Sequence, residues 1–167
     1  MAWTDGAEGG ADIYLHVQTK RAGKVKGEST TDGHDGDIEL RAWHWGVAAG
    51  SAIGSTAATA RRQYRELVVV KGVDSASTGL LAALATNDEV REAKLTMRKS
   101  GGEALDYYLL TLNNARVVGI EIDVDAGGRP LERVSFSYTA IEIEYQRQQG
   151  SGQSAGAYTF SDEVLPA

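Results

Sequence analysis

The side chains best able to do chemistry in this chain are carboxylates and histidines gathered on glycine-rich segments. Asp123-Val124-Asp125-Ala126-Gly127 begins like a calcium-binding loop, with alternate carboxylates ahead of a turn glycine. The position at which such a loop needs its bidentate glutamate is Val134, so a β-turn accounts for these residues better than a cation does. Asp32, His34, Asp35 and Asp37 offer oxygen and nitrogen ligands, but these residue types beside Gly33 and Gly36 are also what tight turns use to bond their own backbone. Glu142 and Glu144 share one strand face and have the look of an acid/base pair; their alternation with Ile141 and Ile143 already explains them as a solvated face.

Nucleophilic chemistry has no better footing. Gly50-Ser51-Ala52-Ile53-Gly54 places its serine one position early for a G-x-S-x-G elbow, and no H-E-x-x-H helix occurs. The chain has no cysteine, which removes disulfides, thiolate metal sites and a cysteine nucleophile together. The sequence therefore assigns no catalytic, cofactor-binding or metal residue, and an enzyme is not expected. Nucleic acid is not an expected partner either: 17 Lys and Arg against 23 Asp and Glu give a net charge of −6, and the basic clusters at residues 20–26 and 61–62 are short and lack interleaved aromatics.

The elements that would position these residues are mostly strands. Residues 12–18 alternate, with Ile13, Leu15 and Val17 on one face. Residues 19–36 have no periodicity and read as a long surface loop. A second strand over residues 37–45 has apolar positions Ile38 and Leu40, then Trp43 and Trp45, so its inward parity changes near Arg41-Ala42 and predicts a bulge or bend. Residues 46–62 are a Gly/Ala/Ser/Thr excursion with too few large apolar side chains for a core of their own, and such long loops are commonly functional. Residues 63–71 read as a strand buried on both sides at Leu67 to Val70. Leu80, Leu81 and Leu84 then predict a helix within residues 74–87, capped by Ser or Asp and closed at Asn87. Residues 89–99 alternate, residues 104–123 form two apolar runs broken at Asn113-Asn114, and residues 125–130 turn. A second parity change near Thr139-Ala140 follows Val134, Phe136 and Tyr138. The tail from residue 146 is Gly/Ser-rich and predicts a loose end with at most one short strand near residues 157–160.

The fold class expected is mainly β: two antiparallel sheets closed or nearly closed into a barrel, with one flanking helix. The chain's 167 residues suit a single domain with its core at about 12–145 and loose termini at 1–11 and 146–167. No apolar run reaches the length of a bilayer span, and residues 1–12 lack the basic start and apolar stretch of a cleavable export signal. A protein that leaves the cell would do so by another route.

An ordered series of motifs resembles one family. Asp12-Ile13-Tyr14-Leu15-His16, Lys26-Gly27-Glu28-Ser29 and Asp37-Ile38-Glu39-Leu40-Arg41-Ala42-Trp43-His44-Trp45-Gly46 are similar to the opening strand, loop and Trp-x-Trp strand of haemolysin-coregulated proteins of type VI secretion. The resemblance continues through Lys71-Gly72-Val73-Asp74, Ala93-Lys94-Leu95-Thr96-Met97-Arg98-Lys99, residues 107–114 and residues 134–145. It implies a β-barrel that assembles into homo-hexameric rings. The rings stack into a tube with spike and sheath partners, and the lumen carries and protects effector proteins for export. The protein would be made in the cytoplasm and expelled.

The same resemblance places His44 on the channel wall, where the family usually has a small polar residue, and so makes cargo binding at that position open to pH. The excursion is assigned to ring stacking through Gly46, Gly50, Ser51, Ile53, Gly54, Arg61 and Arg62, with Trp43 and Trp45 as core or subunit-contact anchors. Residues 1–11 and 22–26 are longer than the family pattern, and the tail after Tyr145 diverges. The competing readings are a monomeric barrel that binds a small ligand or hydrolyses it, and a phage-tail-tube relative; oligomeric state separates ring from monomer.

Overall fold

The computed structural model describes residues 12–50, 61–99, 105–148 and 154–164. The first strand, β1 (Asp12–Thr19), carries its large apolar residues inward as the alternation predicts, with Leu15 and Val17 fully buried. It pairs antiparallel with β8 (Val90–Arg98) on one side. On its other side lie the two-residue β2 (Gly23–Lys24) and β3 (Ile38–Leu40). Beyond β8 the sheet continues through β9 (Asp106–Val124) and β11 (Ala140–Gln148) to an edge strand, β12 (Ser154–Glu163). The tail expected to be loose thus contains a ten-residue strand that pairs along the length of β11. Backbone ladders need no particular side chain, so its Gly/Ser-rich start did not announce it.

A second layer is built on the far half of β9, which pairs with β10 (Pro130–Ser137), then β7 (Leu67–Gly72), then β4 (Ala42–His44). Asn113-Asn114 is therefore not a break between two strands. One 19-residue strand passes through it, because Asn114 sits at φ 47°, a left-handed conformation that asparagine tolerates better than most side chains. Inward parity shifts there from Leu110 and Leu112 to Ala115 and Val117. The neighbouring chain turns the same corner at Thr139, whose N–H and Oγ1 both reach the Asn113 carbonyl at 3.3 Å. This is the second predicted parity change. The first lies at Arg41, where β3 pairs with β1 and β4 pairs with β7, so the chain itself bridges the two layers. Among the described residues no continuous ladder closes the barrel across that seam.

The core between the layers is filled by Leu95, Leu110 and Ile141 from one side and Leu67, Val69, Val134 and Phe136 from the other. The helix α1 (Ser77–Ala85) joins β7 to β8 and packs on β9. Its buried face is Ser77, Leu80 and Ala83; Leu81 and Leu84, expected to face inward with Leu80, are exposed. Ala76 occupies the N-cap without a side-chain bond, so the expected Ser or Asp cap is absent. Asn87 closes the other end at φ 52° as expected.

Residues 67–70 are not buried evenly on both sides. Leu67, Val69 and Lys71 are fully buried, while Val68 and Val70 are only half-buried. Lys71 thus carries an ammonium into the interior, where Asp74 Oδ1 (2.8 Å), Glu132 Oε2 (2.9 Å), Ser77 Oγ (3.0 Å) and the Gly72 carbonyl (2.9 Å) surround it. The cluster binds β7, β10 and the start of α1 together. Removing one partner of such a group leaves charge buried without compensation, which costs about 3–5 kcal/mol. Lys71→Ala is expected to lower the unfolding free energy in urea by about that amount, and adding Glu132→Leu to recover part of it.

Candidate assembly surface

The Trp-x-Trp strand divides its side chains between core and exterior. Trp43 packs on the core and stacks with Tyr108 at 5.8 Å between ring centres. Trp45 donates its indole N–H to the Tyr138 hydroxyl at 2.5 Å, and that hydroxyl donates onward to the Arg65 carbonyl at 2.7 Å. Tyr64 completes this aromatic group, lying 6.2 Å from Trp45 and edge-on to Tyr138. His44 is exposed on the opposite face. The ladder sets it beside Val68, then Ser135, then Gly119, a row of small or uncharged side chains on the outer surface of the β4–β7–β10–β9 layer.

The excursion begins as a separate two-stranded arm. β5 (Val47–Gly50) pairs with β6 (Arg61–Tyr64) and with no other strand among the described residues, and every residue of β5 is exposed. The Gly46 carbonyl accepts the Arg65 N–H at 2.9 Å at its base, and Gly50 pairs with Arg61 at its far end. Ser51, Ile53 and Gly54 lie outside the described residues. Arg62 Nε meets Asp162 at 2.9 Å, and the Tyr64 hydroxyl also donates to Asp162, so the base of the arm is fastened to β12. Burial and the Asp162 carboxylate push the Tyr64 phenol up.

The chemistry-bearing residues of the sequence separate into structural roles. Asp125 Oδ1 accepts the Gly127 and Arg129 N–H groups at 2.9 and 2.8 Å, which is a turn, and Asp123 pairs with Arg133. Among the described residues no group of three or more His, Cys, Asp or Glu is placed to hold a metal. Glu142 stays exposed on the outer sheet face.

These surfaces belong to a fold that recurs in solved structures. Hcp1 from the Escherichia coli EAEC 042 pathovar superposes with a TM-score of 0.76 at 21% identity, covering 92% of this chain and 99% of that one. A type VI secretion system effector from Yersinia pestis gives 0.74 at 20% identity, covering 92% of this chain and 100% of that one. Protein hcp1 of Pseudomonas aeruginosa is 29% identical over 149 residues, 87% of this chain and 89% of the relative. A sequence model of the family described as "Type VI secretion system effector, Hcp" matches residues 14–145. The chain belongs to the Hcp family.

Membership makes it a tube and effector-carrying component of type VI secretion. The Hcp match spans both corners and the arm and stops at Tyr145, so all of β12 lies beyond it. Within the matched region the loop of residues 25–37 is not a mere surface loop. His34 is buried, stacked on Tyr14 at 4.3 Å, with Nδ1 3.0 Å from Asp37 and Nε2 3.1 Å from Asp106. His16 and Lys24 also reach Asp37, at 3.2 and 3.3 Å, and Arg98 pairs with Asp106 at 2.8 Å. Gly27 is needed because a Cβ there would stand 2.3 Å from the Asp37 carbonyl oxygen. Sequence reasoning placed His34 and Asp37 in a turn; their partner Asp106 lies 72 residues from His34, and only tertiary structure brings it near.

Burial alone would raise the Asp37 carboxyl, but hydrogen bonds from His34, His16 and Lys24 outweigh it and hold the group below its ordinary 3.8. Asp106 is likewise pulled up by burial and held below 3.8 by Arg98 and His34. Groups depressed in the folded state contribute their full stability above the unfolded pKa, and that contribution is lost as the pH falls through the folded values. Urea midpoints are therefore expected to fall as the pH is lowered from about 5 to about 2. Asp37→Asn should show a lower midpoint at neutral pH and a shallower fall in acid.

Proposed function

We propose that this chain is a structural tube subunit that acts without catalysis: six copies close into a ring, rings stack, and the lumen carries effector proteins. One domain spans residues 1–167, its core lying at about 12–145. The protein is made in the cytoplasm, engages spike and sheath proteins of the machine, and is expelled with its cargo. The observation that carries this reading is the Hcp family match over residues 14–145.

The physical features agree with it. Among the described residues β12 is a ten-residue edge strand with one partner, and a long unpaired edge invites pairing with another chain. No described helix is long and apolar enough to cross a membrane. Residues 46–62, Gly46, Gly50, Ser51, Ile53, Gly54, Arg61 and Arg62 among them, are assigned to ring stacking, supported by the exposure of every residue of β5. His44 is assigned to the lumen wall, supported by its exposure beside Val68, Ser135 and Gly119. Trp43 and Trp45 act as core anchors that hold this wall in place.

Negative-stain microscopy of the purified protein is expected to show six-fold rings with open centres; a solid monomer at high concentration would overturn the reading. One exposed contact at His44 is worth about 0.2–1 kcal/mol, so His44→Ser is expected to change effector affinity by roughly two- to five-fold, and equal behaviour of the two proteins would remove His44 from the lumen.

A further inference from the structure

The β5–β6 arm leaves the subunit from a single root. There the Arg65 N–H bonds to the Gly46 carbonyl at 2.9 Å, and the Arg65 carbonyl accepts the Tyr138 hydroxyl at 2.7 Å. Among the described residues neither strand of the arm pairs with anything but the other. A hairpin with no sheet behind it is marginal in water, and a ribbon held only at its root can swing about it. A second contact, further out along the ribbon, is needed to give it a direction.

Asp162 supplies that contact. Tyr64 and Arg62 are two residues apart on β6 and so share a face. Both end on one carboxylate. The Tyr64 hydroxyl donates to Asp162 Oδ2, Arg62 Nε stands 2.9 Å from the same oxygen, and Arg62 Nη2 lies 3.5 Å from Oδ1. The Tyr64 ring already packs beside Trp45 and Tyr138 near the root, whereas Arg62 reaches the carboxylate from further out with its side chain 53% exposed. Asp162 itself is on firm footing. It lies opposite Ile141 in the β11–β12 ladder, Glu163 pairs with Ala140, and the Val164 N–H bonds to the Thr139 carbonyl at 2.7 Å, at the corner between the layers. The Tyr64 hydroxyl foremost, and then the Arg62 guanidinium, hold the Asp162 carboxyl below its ordinary 3.8 against a smaller upward push from burial.

We propose that Asp162 is a positioning residue for assembly: it fixes the direction in which the β5–β6 arm leaves the subunit, and so the surface that the arm presents to a neighbouring ring. The inference rests on the assignment of residues 46–62 to stacking and names what aims them. Bonds from two donors to one carboxylate are directional, which is what fixing an angle requires. The proposal also gives β12 a role. The Hcp match stops at Tyr145, and the carboxylate that aims the arm lies on the strand beyond it.

The absence of cysteine allows spin labels to be placed at chosen positions alone. Gly50→Cys lies at the far end of β5, where an added Cβ meets nothing within 4 Å, and Glu142→Cys lies exposed on β11. The doubly labelled chain is diluted into unlabelled protein, so that the distance read by pulsed electron paramagnetic resonance lies within one subunit. The parent is expected to give one narrow distance distribution, and Asp162→Ala to widen it by about twofold or more with unchanged circular dichroism. Tyr64→Phe with Arg62→Gln strips the same contact from the arm side while keeping the aromatic packing, and is expected to widen it equally. All three substitutions together should widen it no further, because they act through one contact. Widths unchanged from the parent, or widths that add, would overturn the proposal and leave the tube reading standing. A parent protein that forms no rings would instead overturn the tube reading, and with it the role of Asp162 in stacking.

Discussion

A β-strand alternates its side chains between two faces, so a strand that serves two layers must slip its alternation by one residue where the layers meet. The rest of this molecule follows from where those slips occur. At Arg41 the strand leaves β1 and joins β7; at Asn114 β9 passes from one layer to the other, and Thr139 carries its neighbour around the same corner. Each slip keeps large apolar residues pointing inward on both sides of the bend. Together they decide that Trp43 and Trp45 anchor the core while His44 faces out, and that the hairpin beyond Thr139 reaches past the packed interior.

Two of these corners were legible in the sequence, and their legibility has a physical basis. Trp43 with Trp45, and Ile141 with Ile143, are large enough to mark parity without ambiguity, so a change from the preceding apolar set could be read directly. The slip at Asn114 was visible but misread. A pair of asparagines is the signature of a turn, and nothing local distinguishes a turn from a single left-handed residue inside a continuous strand. The helix was located by its leucines, but their inward face was not: Leu81 and Leu84 fit the helical period as well as Leu80 does, and only the packing on β9 separates them.

Polar interiors were the least legible. Lys71 follows an apolar run and looks like a strand end, yet alternation carries it inward, where Glu132 arrives from 61 residues away. His34 and Asp37 look like turn residues until Asp106 closes on them. Each cluster takes one acceptor from a distant segment, Glu132 or Asp106, so spacing along the chain shows only its local half. They also explain two of the motifs that carried the family resemblance. Lys71-Gly72-Val73-Asp74 holds a buried ammonium and one of its carboxylates, and Lys26-Gly27-Glu28-Ser29 contains the glycine over which the Asp37 backbone passes. Both motifs carry residues that the packing of the interior uses.

The arm formed by β5 and β6 has a consequence for how such a chain can change over generations. Its first strand is exposed throughout and, among the described residues, pairs only with its second, so substitutions there leave the subunit's own folding free energy almost untouched. Selection against unfolding, which screens most of the chain, has little purchase on those positions. What the arm touches alone judges them, and the geometry of contact between molecules is therefore free to drift while the architecture that presents it stays fixed.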